Sequence, residues 1–598
     1  MKKEIYQQRI SAMREQMKLA GVAAVIIPQA DPHATEYVAA HWQIRRWMSG
    51  FTGSAGTLVV TLSESLLWTD SRYFIQASQQ LDGTGTALMK DGLASTPTIA
   101  RYLCANLPQG STVGIDGMLF PITEADSLAA SLAQAGIALS TDFDVIDRLW
   151  TDRPGLPDGE IFIHDLKYAG ESAADKLAAV VADVRNRKAD GLLVSALDEV
   201  AWLLNIRCND VDENTVAIAF LYVPSAGAAQ LFVLPEKITP ETAAYLSQEG
   251  AEVRPYSSLP EFLKSLPESA RVLVEPGKTV KAIEDVLSQR AVKIDRSPVA
   301  MRKACKNAVQ IAGVRQAMIR DGVALVRGFM EIERRVAVGE HTTELDVVDI
   351  LHHFRAQSPM FFDESFGTIS GYGPHGAIVH YSADKESNAT LRREGLLLVD
   401  SGAQYPDGTT DITRTICLGE PTALEKRDFT LVMKGHIALA QMIFPDDTRG
   451  AQLDAIARQF LWKNGLSYLH GTGHGVGHFL SVHEGPQSIR LNYVDVPLAP
   501  GMITSNEPGL YRENVHGIRC ENLVLCSVAM ENNFGRFLKF ETLTLFPFDR
   551  SLFDLDIMSD DEIQWVDRYH AMVRECLIPA LANEEERQWL IAKTAPLK

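Results

Sequence analysis

The stretch GLLLVDSGAQYPDGTTDITRTICLG, residues 395–419, decides how the C-terminal half of the chain is interpreted. Its apolar run LLLV predicts a strand with Asp400 at the end, and DITRTICL predicts a second strand that begins at Asp411. The Gly/Pro/Asp-rich connection predicts a hairpin, which would place the two aspartates near each other, since cross-strand neighbours lie about 5 Å apart. Two carboxylates that close repel each other unless a proton or a cation lies between them. The alternative is a pair of exposed turn aspartates.

Histidines are concentrated further along, in LHGTGHGVGHFLSVHEGP, residues 469–486. His470, His474, His478 and His483 fall within 14 residues of a chain that has 15 histidines. The five glycines of this stretch favour tightly packed backbone over a regular helix. Imidazole is a common metal ligand and proton carrier, although the HExxH motif of many zinc proteases is absent from the sequence. The alternative is a histidine-rich loop that binds nothing.

A third stretch, SNEPGLYRENVHGIRCENLVL, residues 505–525, adds two glutamates. Glu507 precedes a Pro-Gly turn, and GIRCENLVL is an apolar strand pattern interrupted by charges. The two-residue period of a strand places Arg519 and Glu521 on one face. A glutamate inside such a strand is expected to be paired or bound to a metal. The alternative is an Arg519–Glu521 ion pair on a solvated edge.

Together these stretches supply two aspartates, one or more histidines and two glutamates. A donor set of many oxygens, few nitrogens and no sulfur suits hard or borderline divalent ions such as Mn²⁺, Co²⁺ or Zn²⁺. Two such ions can activate water and polarise a carbonyl, so hydrolysis is the predicted reaction class. The residue pattern leaves the substrate open.

Global composition narrows the class of protein. The 598 residues carry a formal net charge of −19, which argues against nucleic acid or an anionic membrane as the main partner. The seven cysteines include no CxxC pair and fit a reducing compartment. Apolar runs fall far short of the roughly 20 residues that a membrane-spanning helix needs. The N-terminal MKKEIYQQRI has no apolar segment after its lysines, so a cytoplasmic location is expected.

The N-terminal half repeats one pattern. An apolar strand, an acidic residue and then a helix are predicted twice, in GVAAVIIPQADPHATEYV from residue 21 and in GLLVSALDEVAWLLNI from residue 191. We interpret this as a weak internal duplication, with chance similarity as the alternative. Linker-like stretches at 151–160 and 293–307 then predict three domains, residues 1–152, 153–303 and 304–598. A long helix with apolar residues at three- and four-residue spacing is expected from Asn307. A helical extension is expected from about residue 550, and Ser559 followed by Glu562 predicts a capping box there.

Several stretches carry a resemblance to a known family over essentially the whole chain. They are FTGSAGT (51–57), LWTDSRYF (67–74), LDEVAWLLNIR (197–207), AIVHYS (377–382), HGTGHGVGHFLSVHEGP (470–486) and GIRCENLVL (517–525), together with the aspartate hairpin. The sequence resembles the three-domain, cytosolic-type Xaa-Pro aminopeptidases of the creatinase, methionine aminopeptidase and prolidase superfamily. The resemblance implies an α/β fold class, with two creatinase-like N-terminal domains before an α+β "pita-bread" catalytic domain.

The resemblance also implies roles for individual residues. The metal ligands would be Asp400, Asp411, His474, Glu507 and Glu521, with Asp411 and Glu521 bridging two ions and Asp407 as the rival of Asp411. The catalytic residues would be His380, His483 and Glu507, and the substrate-binding residues would be Arg72, His380, His470, His483 and Arg519. The alternative for Arg72 is a structural salt bridge. His478 matches no family role, and its alternative is a surface or ligand-supporting position.

The implied activity is release of the N-terminal residue from Xaa-Pro-Xaa peptides by a hydroxide held between two divalent ions. Family habit favours Mn²⁺, with Zn²⁺ or Co²⁺ as alternatives. The C-terminal extension resembles a dimer-forming segment, so a homodimer is expected. The enzymatic alternative is an Xaa-Pro dipeptidase (prolidase), and the non-enzymatic alternative is a pita-bread binding module.

Overall fold

A computed structural model describes residues 3–598, which divide into two compact units. The first unit comprises the chain up to His164 together with Glu171–Val299. The second comprises Asp165–Gly170 together with Ala300–Lys598. Both units mix helices and strands. Within residues 3–598, no helix is both long and apolar enough to span a membrane.

The first unit begins with a six-stranded mixed sheet in the order β4-β3-β2-β1-β5-β6. The strands are β1 (Ala24–Pro28), β2 (Thr57–Thr61), β3 (Ser65–Thr69), β4 (Ala87–Lys90), β5 (Thr112–Gly114) and β6 (Ala138–Ser140). The helices are α1 (Glu4–Ala20), α2 (Ile44–Ser49), α3 (Phe74–Leu81), α4 (Ile99–Asn106), α5 (Ile122–Gln134) and α6 (Ile146–Leu149). β1 is central and buried because its residues are almost all apolar.

The second sheet of this unit has the order β12-β11-β10-β8-β13-β14. Its strands are β8 (Gly191–Val194), β10 (Phe220–Pro224), β11 (Ala229–Val233), β12 (Ala251–Pro255), β13 (Val272–Val274) and β14 (Ala291–Lys293), and β7 (Phe162–Ile163) pairs separately with β9 (Ile206–Arg207). The helices are α8 (Ala173–Asn186), α9 (Leu197–Leu204), α10 (Pro240–Gln248), α11 (Leu259–Ser265) and α12 (Lys281–Leu287). Strand order and the pattern of parallel and antiparallel pairs repeat those of the first sheet, which confirms the internal duplication.

One element of the repeat was predicted wrongly. The stretch after Asp31 is not helical, and the next α-helix begins only at Ile44. Asp31 instead closes a turn, since its Oδ1 accepts hydrogen bonds from the backbone amides of His33 and Thr35. This local hydrogen bonding, with a proline between Asp31 and His33, competes with a helix. In the second copy the corresponding helix forms at Leu197–Leu204, as predicted.

The second unit contains four sheets. The strands are β15 (Asp363–Glu364), β16 (Ile369–Tyr372), β17 (Leu396–Ser401), β18 (Ala403–Tyr405), β19 (Gly408–Thr409), β20 (Ile412–Cys417), β21 (Ile443–Pro445), β22 (Gly473–Gly475), β23 (Glu484–Ile489), β24 (Ile503–Asn506), β25 (Gly509–Arg512), β26 (His516–Arg519), β27 (Asn522–Asn532) and β28 (Gly535–Thr542). The sheet orders are β15-β18-β19, β16-β17-β20, β21-β28-β27-β24-β22-β23 and β25-β26.

Helices cover these sheets. They are α7 (Leu166–Ala169), α14 (Ala308–Val338), α15 (Glu344–Arg355), α16 (Ala423–Ala440), α17 (Gly450–Trp462), α18 (Asp560–Leu577) and α19 (Glu584–Lys593), and α13 (Pro298–Ala304) leads from the first unit into the second. α14 has the predicted apolar spacing and buries Leu325 and Phe329 in one core with Leu397 and Val399 of β17. The predicted capping box of Ser559 and Glu562 is present at the start of α18.

Candidate metal centre

The aspartate hairpin forms as predicted, with a second, smaller hairpin inserted in its connection. β17 pairs antiparallel with β20 in a register that sets Asp400 opposite Thr413, and β18 and β19 lie between them in the chain. Asp411 immediately precedes β20 and is not its first residue. Asp400 is 8% exposed and Asp411 is 3% exposed, so the alternative of exposed turn aspartates is wrong.

Three predicted ligands meet at one point. Asp411, His474 and Glu521 each offer a ligand atom, and these three atoms all lie within 4.8 Å of one another. His474 Nε2 lies 3.4 Å from Asp411 Oδ2 and 3.3 Å from Glu507 Oε1, so the fourth predicted ligand adjoins the same imidazole. His474 comes from β22, Glu507 follows β24, and Glu521 lies at the break between β26 and β27. Because β22, β24 and β27 are neighbours in one sheet, residues far apart in sequence converge here.

Burial of these carboxylates close to one another raises their pKa values. The pKa of Asp411 is raised well above its usual value, chiefly by burial and then by Asp400 and Glu507. Burial, followed by Asp411, likewise raises the pKa of Glu521. Burial raises the pKa of Glu507 to about 7, although Arg519 opposes the shift. Repulsion of this kind is relieved by protons or by cations.

The donor set fits a pair of divalent cations. Four carboxylates, Asp400, Asp411, Glu507 and Glu521, surround the site, and a single guanidinium, that of Arg519, is hydrogen-bonded to one of them, Asp400. Asp400 Oδ1 is buried and accepts no hydrogen bond from residues 3–598. A buried carboxylate oxygen without a donor is expected where a metal ion completes the site. Oxygen-rich donors with one imidazole suit hard or borderline divalent ions.

Arg519 is buried and does not pair with Glu521. Its Nη2 donates to Asp400 Oδ2 at 2.5 Å, its Nε to Thr413 Oγ1 at 3.1 Å and its Nη1 to Tyr511 Oη at 2.9 Å. Glu521 instead accepts a 2.7 Å hydrogen bond from Thr413 Oγ1. The solvated-edge alternative is therefore wrong, because Arg519 and Glu521 are only 2% and 1% exposed.

The predicted histidines take different positions around the cluster. The ring of His483 packs edge-on against His474, with centroids 4.4 Å apart. His470 Nε2 lies 2.8 Å from Tyr511 Oη, so Tyr511 connects it to Arg519. His380 follows Val379, whose carbonyl oxygen is 3.4 Å from Arg519 Nη1. His478 is buried, which makes a surface position wrong for it.

Two predicted residues lie outside this cluster. Asp407, the rival of Asp411, forms an ion pair with Arg320. Arg72 belongs to the first unit, where its Nε and Nη2 each donate a 2.8 Å hydrogen bond to Asp70. This is the structural salt bridge of the alternative interpretation, and a substrate contact by Arg72 stays a prediction.

Sequence reasoning missed the polar residues that hold the ligands. Thr413 bonds both Glu521 and Arg519, and Tyr511 bonds both Arg519 and His470. Ser505 Oγ accepts from the His474 amide at 2.9 Å and lies 3.1 Å from Glu507 Oε1. All three lie close to predicted ligands, in TTDITRT and SNEPGLYR, but a lone hydroxyl in a strand gives no signal by itself.

Comparison with known proteins gives the chain a family context. It matches the Creatinase/Prolidase N-terminal domain over residues 9–149 and again over 152–310, metallopeptidase family M24 over 300–527, and the C-terminal region of peptidase M24 over 536–597. It is 40% identical to aminopeptidase P2 of Arabidopsis thaliana, with 100% of this chain and 89% of that protein covered.

Two further proteins are similar to this chain over almost its whole length. A probable Xaa-Pro aminopeptidase P of Aspergillus fumigatus is 40% identical, with 99% of this chain and 92% of that protein covered. The crystal structure of X-prolyl aminopeptidase from Caenorhabditis elegans, described as a cytosolic enzyme with a di-nuclear active site, superposes with a TM-score of 0.95. It is 33% identical and covers 99% of both chains. The predicted fold class is confirmed, with creatinase-type N-terminal domains before a pita-bread domain and a C-terminal helical region.

Proposed function

The chain belongs to metallopeptidase family M24, and we propose that it is an Xaa-Pro aminopeptidase, which removes the N-terminal residue from peptides with proline in second position. The observation that carries this function is the cluster of buried Asp411 and Glu521 with the partly buried His474, in a chain that aligns end to end with such enzymes. The enzyme is a metal-dependent hydrolase with a site for two divalent ions.

We assign five side chains to the metal ions: Asp400, Asp411, His474, Glu507 and Glu521. Burial, mutual repulsion and the donorless Oδ1 of Asp400 support this set. Mn²⁺ is our first choice of metal, with Zn²⁺ or Co²⁺ as alternatives, since carboxylate-rich sites accept several ions. When bound, two such ions supply Lewis acidity toward the substrate carbonyl and a nucleophile derived from water.

The remaining chemistry falls to the protein's side chains. Glu507 would accept the proton that the nucleophile releases and pass it to the proline nitrogen. His380 and His483 would donate hydrogen bonds to the carbonyl oxygen as negative charge develops on it. Arg519 fixes Asp400, and Tyr511 connects it to His470, for which we propose a contact with the substrate. The nitrogen of the Xaa-Pro bond carries no hydrogen, so peptidases that require an N–H at the scissile bond cannot cleave it.

A substrate comparison tests this function. Purified protein supplied with Mn²⁺ should cleave an Xaa-Pro-Xaa tripeptide much faster than an Xaa-Pro dipeptide. The reverse preference would make the protein a prolidase, and no hydrolysis together with no bound divalent metal would make it a binding module. Asp411→Asn should abolish cleavage and reduce the metal content. Cleavage that survives this substitution unchanged would refute the assignment of the ligands.

The proposal also covers the domain boundaries, the oligomeric state and the cellular location. The matched ranges 9–149, 152–310 and 300–527 support boundaries near residues 153 and 303. The cytosolic description of the C. elegans relative supports a cytoplasmic enzyme. We expect a homodimer through the C-terminal region, which light scattering at micromolar concentration would test. We expect Arg72→Ala to raise KM for tripeptides, and an unchanged KM would restrict Arg72 to its salt bridge with Asp70.

A further inference from the structure

A buried carboxylate outside the metal cluster holds the segment that carries His380. Glu344 is the first residue of α15, and it is 0% exposed. Its Oε1 accepts a 2.8 Å hydrogen bond from the Tyr372 amide, and its Oε2 accepts a 2.8 Å bond from the Ala389 amide. These two amides bracket residues 372–389, so one side chain fixes both ends of the segment.

Glu344 also binds the middle of the segment. Tyr381, the residue after His380, donates its hydroxyl to Glu344 Oε2 at 2.9 Å. His375 Nδ1 lies 2.8 Å from Glu344 Oε1 and 3.0 Å from Oε2. The His375 ring stacks on the Tyr381 ring with centroids 4.6 Å apart. Hydrogen bonds to a buried charged group are stronger than neutral ones, so together they fix this segment firmly.

The other side of the segment packs against the metal centre. Tyr381 is buried with Ile369 and Leu398, and Ile369 lies directly opposite Asp400 in the sheet. The backbone at Val379 approaches Arg519, which itself binds Asp400. His380 is therefore located between an anchor at Glu344 and the strands that carry a predicted metal ligand.

We infer that Glu344 is a positioning residue that holds His380 in place beside the metal centre. The inference rests on the proposed function, in which His380 contacts the substrate. Misplacement of a catalytic group by about 1 Å costs on the order of 100-fold in rate, so loss of this anchor should lower the activity strongly. Each hydrogen bond that the Glu344 carboxylate accepts from residues 3–598 comes from the segment 372–389, so its removal should leave the metal content unchanged.

A double-mutant cycle on the full-length, metal-loaded enzyme tests the inference. Glu344→Gln should lower kcat/KM for an Xaa-Pro-Xaa tripeptide at least 10-fold alone, and less than about twofold when added to His380→Ala. Equal losses in both backgrounds, or no loss in either, would overturn it, because a merely structural role is additive. If Glu344→Gln does not fold, Tyr381→Phe removes one of the same hydrogen bonds and is judged by the same criterion. Glu386→Gln, on the exposed part of the segment, is the control.

Hydrogen–deuterium exchange provides a readout that does not depend on activity. Amides within residues 373–389 should exchange faster in Glu344→Gln than in the unmodified protein, while α14 and α16 keep their protection. Unchanged exchange in this segment would overturn the inference. If the unmodified protein fails to cleave Xaa-Pro-Xaa, the proposed function fails, and the exchange experiment alone decides the role of Glu344.

Discussion

Gly517→Ala is the substitution whose consequences the structure specifies most sharply. A Cβ atom on Gly517 would lie 1.6 Å from the carbonyl oxygen of Gly376, whereas Cβ atoms essentially never lie closer than 3.0 Å to a non-bonded heavy atom. The two backbones must therefore separate by about 1.4 Å. Gly376 belongs to the short 3₁₀ turn Gly373–Ala377, just ahead of His380, and Gly517 belongs to β26, just ahead of Glu521. Whichever backbone moves, a residue of the proposed active site moves with it.

The magnitude follows from the displacement. A misplacement of about 1 Å costs on the order of 100-fold in rate, so kcat/KM for an Xaa-Pro-Xaa tripeptide should fall by about that factor. Overpacking should also cost about 1–3 kcal/mol of stability. Metal content then identifies the backbone that moved. Normal metal content indicates displacement of the turn before His380, whereas reduced metal content indicates displacement of the strand before Glu521.

The matched control is Gly277→Ala in the first unit. A Cβ on Gly277 would find no atom within 4 Å, and the residue does not require positive φ. It should retain the kinetics of the unmodified protein. If Gly517→Ala cleaves tripeptides within twofold of the unmodified rate, the close approach of the two glycines does not set the geometry of the site, and the reasoning is refuted.

Three further outcomes are expected. Asp407→Asn should keep the full metal content in a metal assay, since Asp407 pairs with an arginine away from the cluster, and loss of metal would restore it as a ligand. Glu484→Gln should lower the free energy of unfolding by about 3–5 kcal/mol, because it leaves the buried Lys303 and Lys306 without their carboxylate. Thermal denaturation measures this loss, and an unchanged melting temperature would contradict the prediction. Burial raises the pKa of Asp116 to about 6, so its ionisation destabilises the fold increasingly as pH rises from about 4 to 6. Asp116→Asn should therefore increase the free energy of unfolding at pH 8 by up to about 3 kcal/mol, and this increase should disappear toward pH 4. Thermal denaturation at several pH values tests this, and a stabilisation that does not depend on pH would refute the prediction.

Local sequence was sufficient for the elements with strong periodicity. The long helix from Ala308, the strands at Leu396–Ser401 and Ile412–Cys417, and the capping box at Ser559 all follow from residues within a few positions of one another. The incorrect prediction of a helix after Asp31 also has a local cause. A side chain that bonds its own backbone competes with a helix, and the strand–helix pattern of the second copy concealed this competition.

The donor types of the proposed metal site were also evident from the sequence, because aspartate, histidine and glutamate are concentrated in three short stretches. Which aspartate joins the cluster was not. Asp407 and Asp411 lie four residues apart, and only the small hairpin of β18 and β19 sends one toward Arg320 and the other toward His474 and Glu521.

The supporting contacts were decided by tertiary structure alone. Arg519 lies two residues from Glu521, yet it binds Asp400, which is 119 positions away in the chain. Glu344 reaches the segment of His380 across 28 to 45 positions. Sequence spacing determines which side chains share a face of one strand, whereas the pairing of distant strands and the packing of helices on them determine which buried charges meet. Burial then decides the chemistry, because it makes the repulsion between carboxylates strong enough that protons or cations must relieve it.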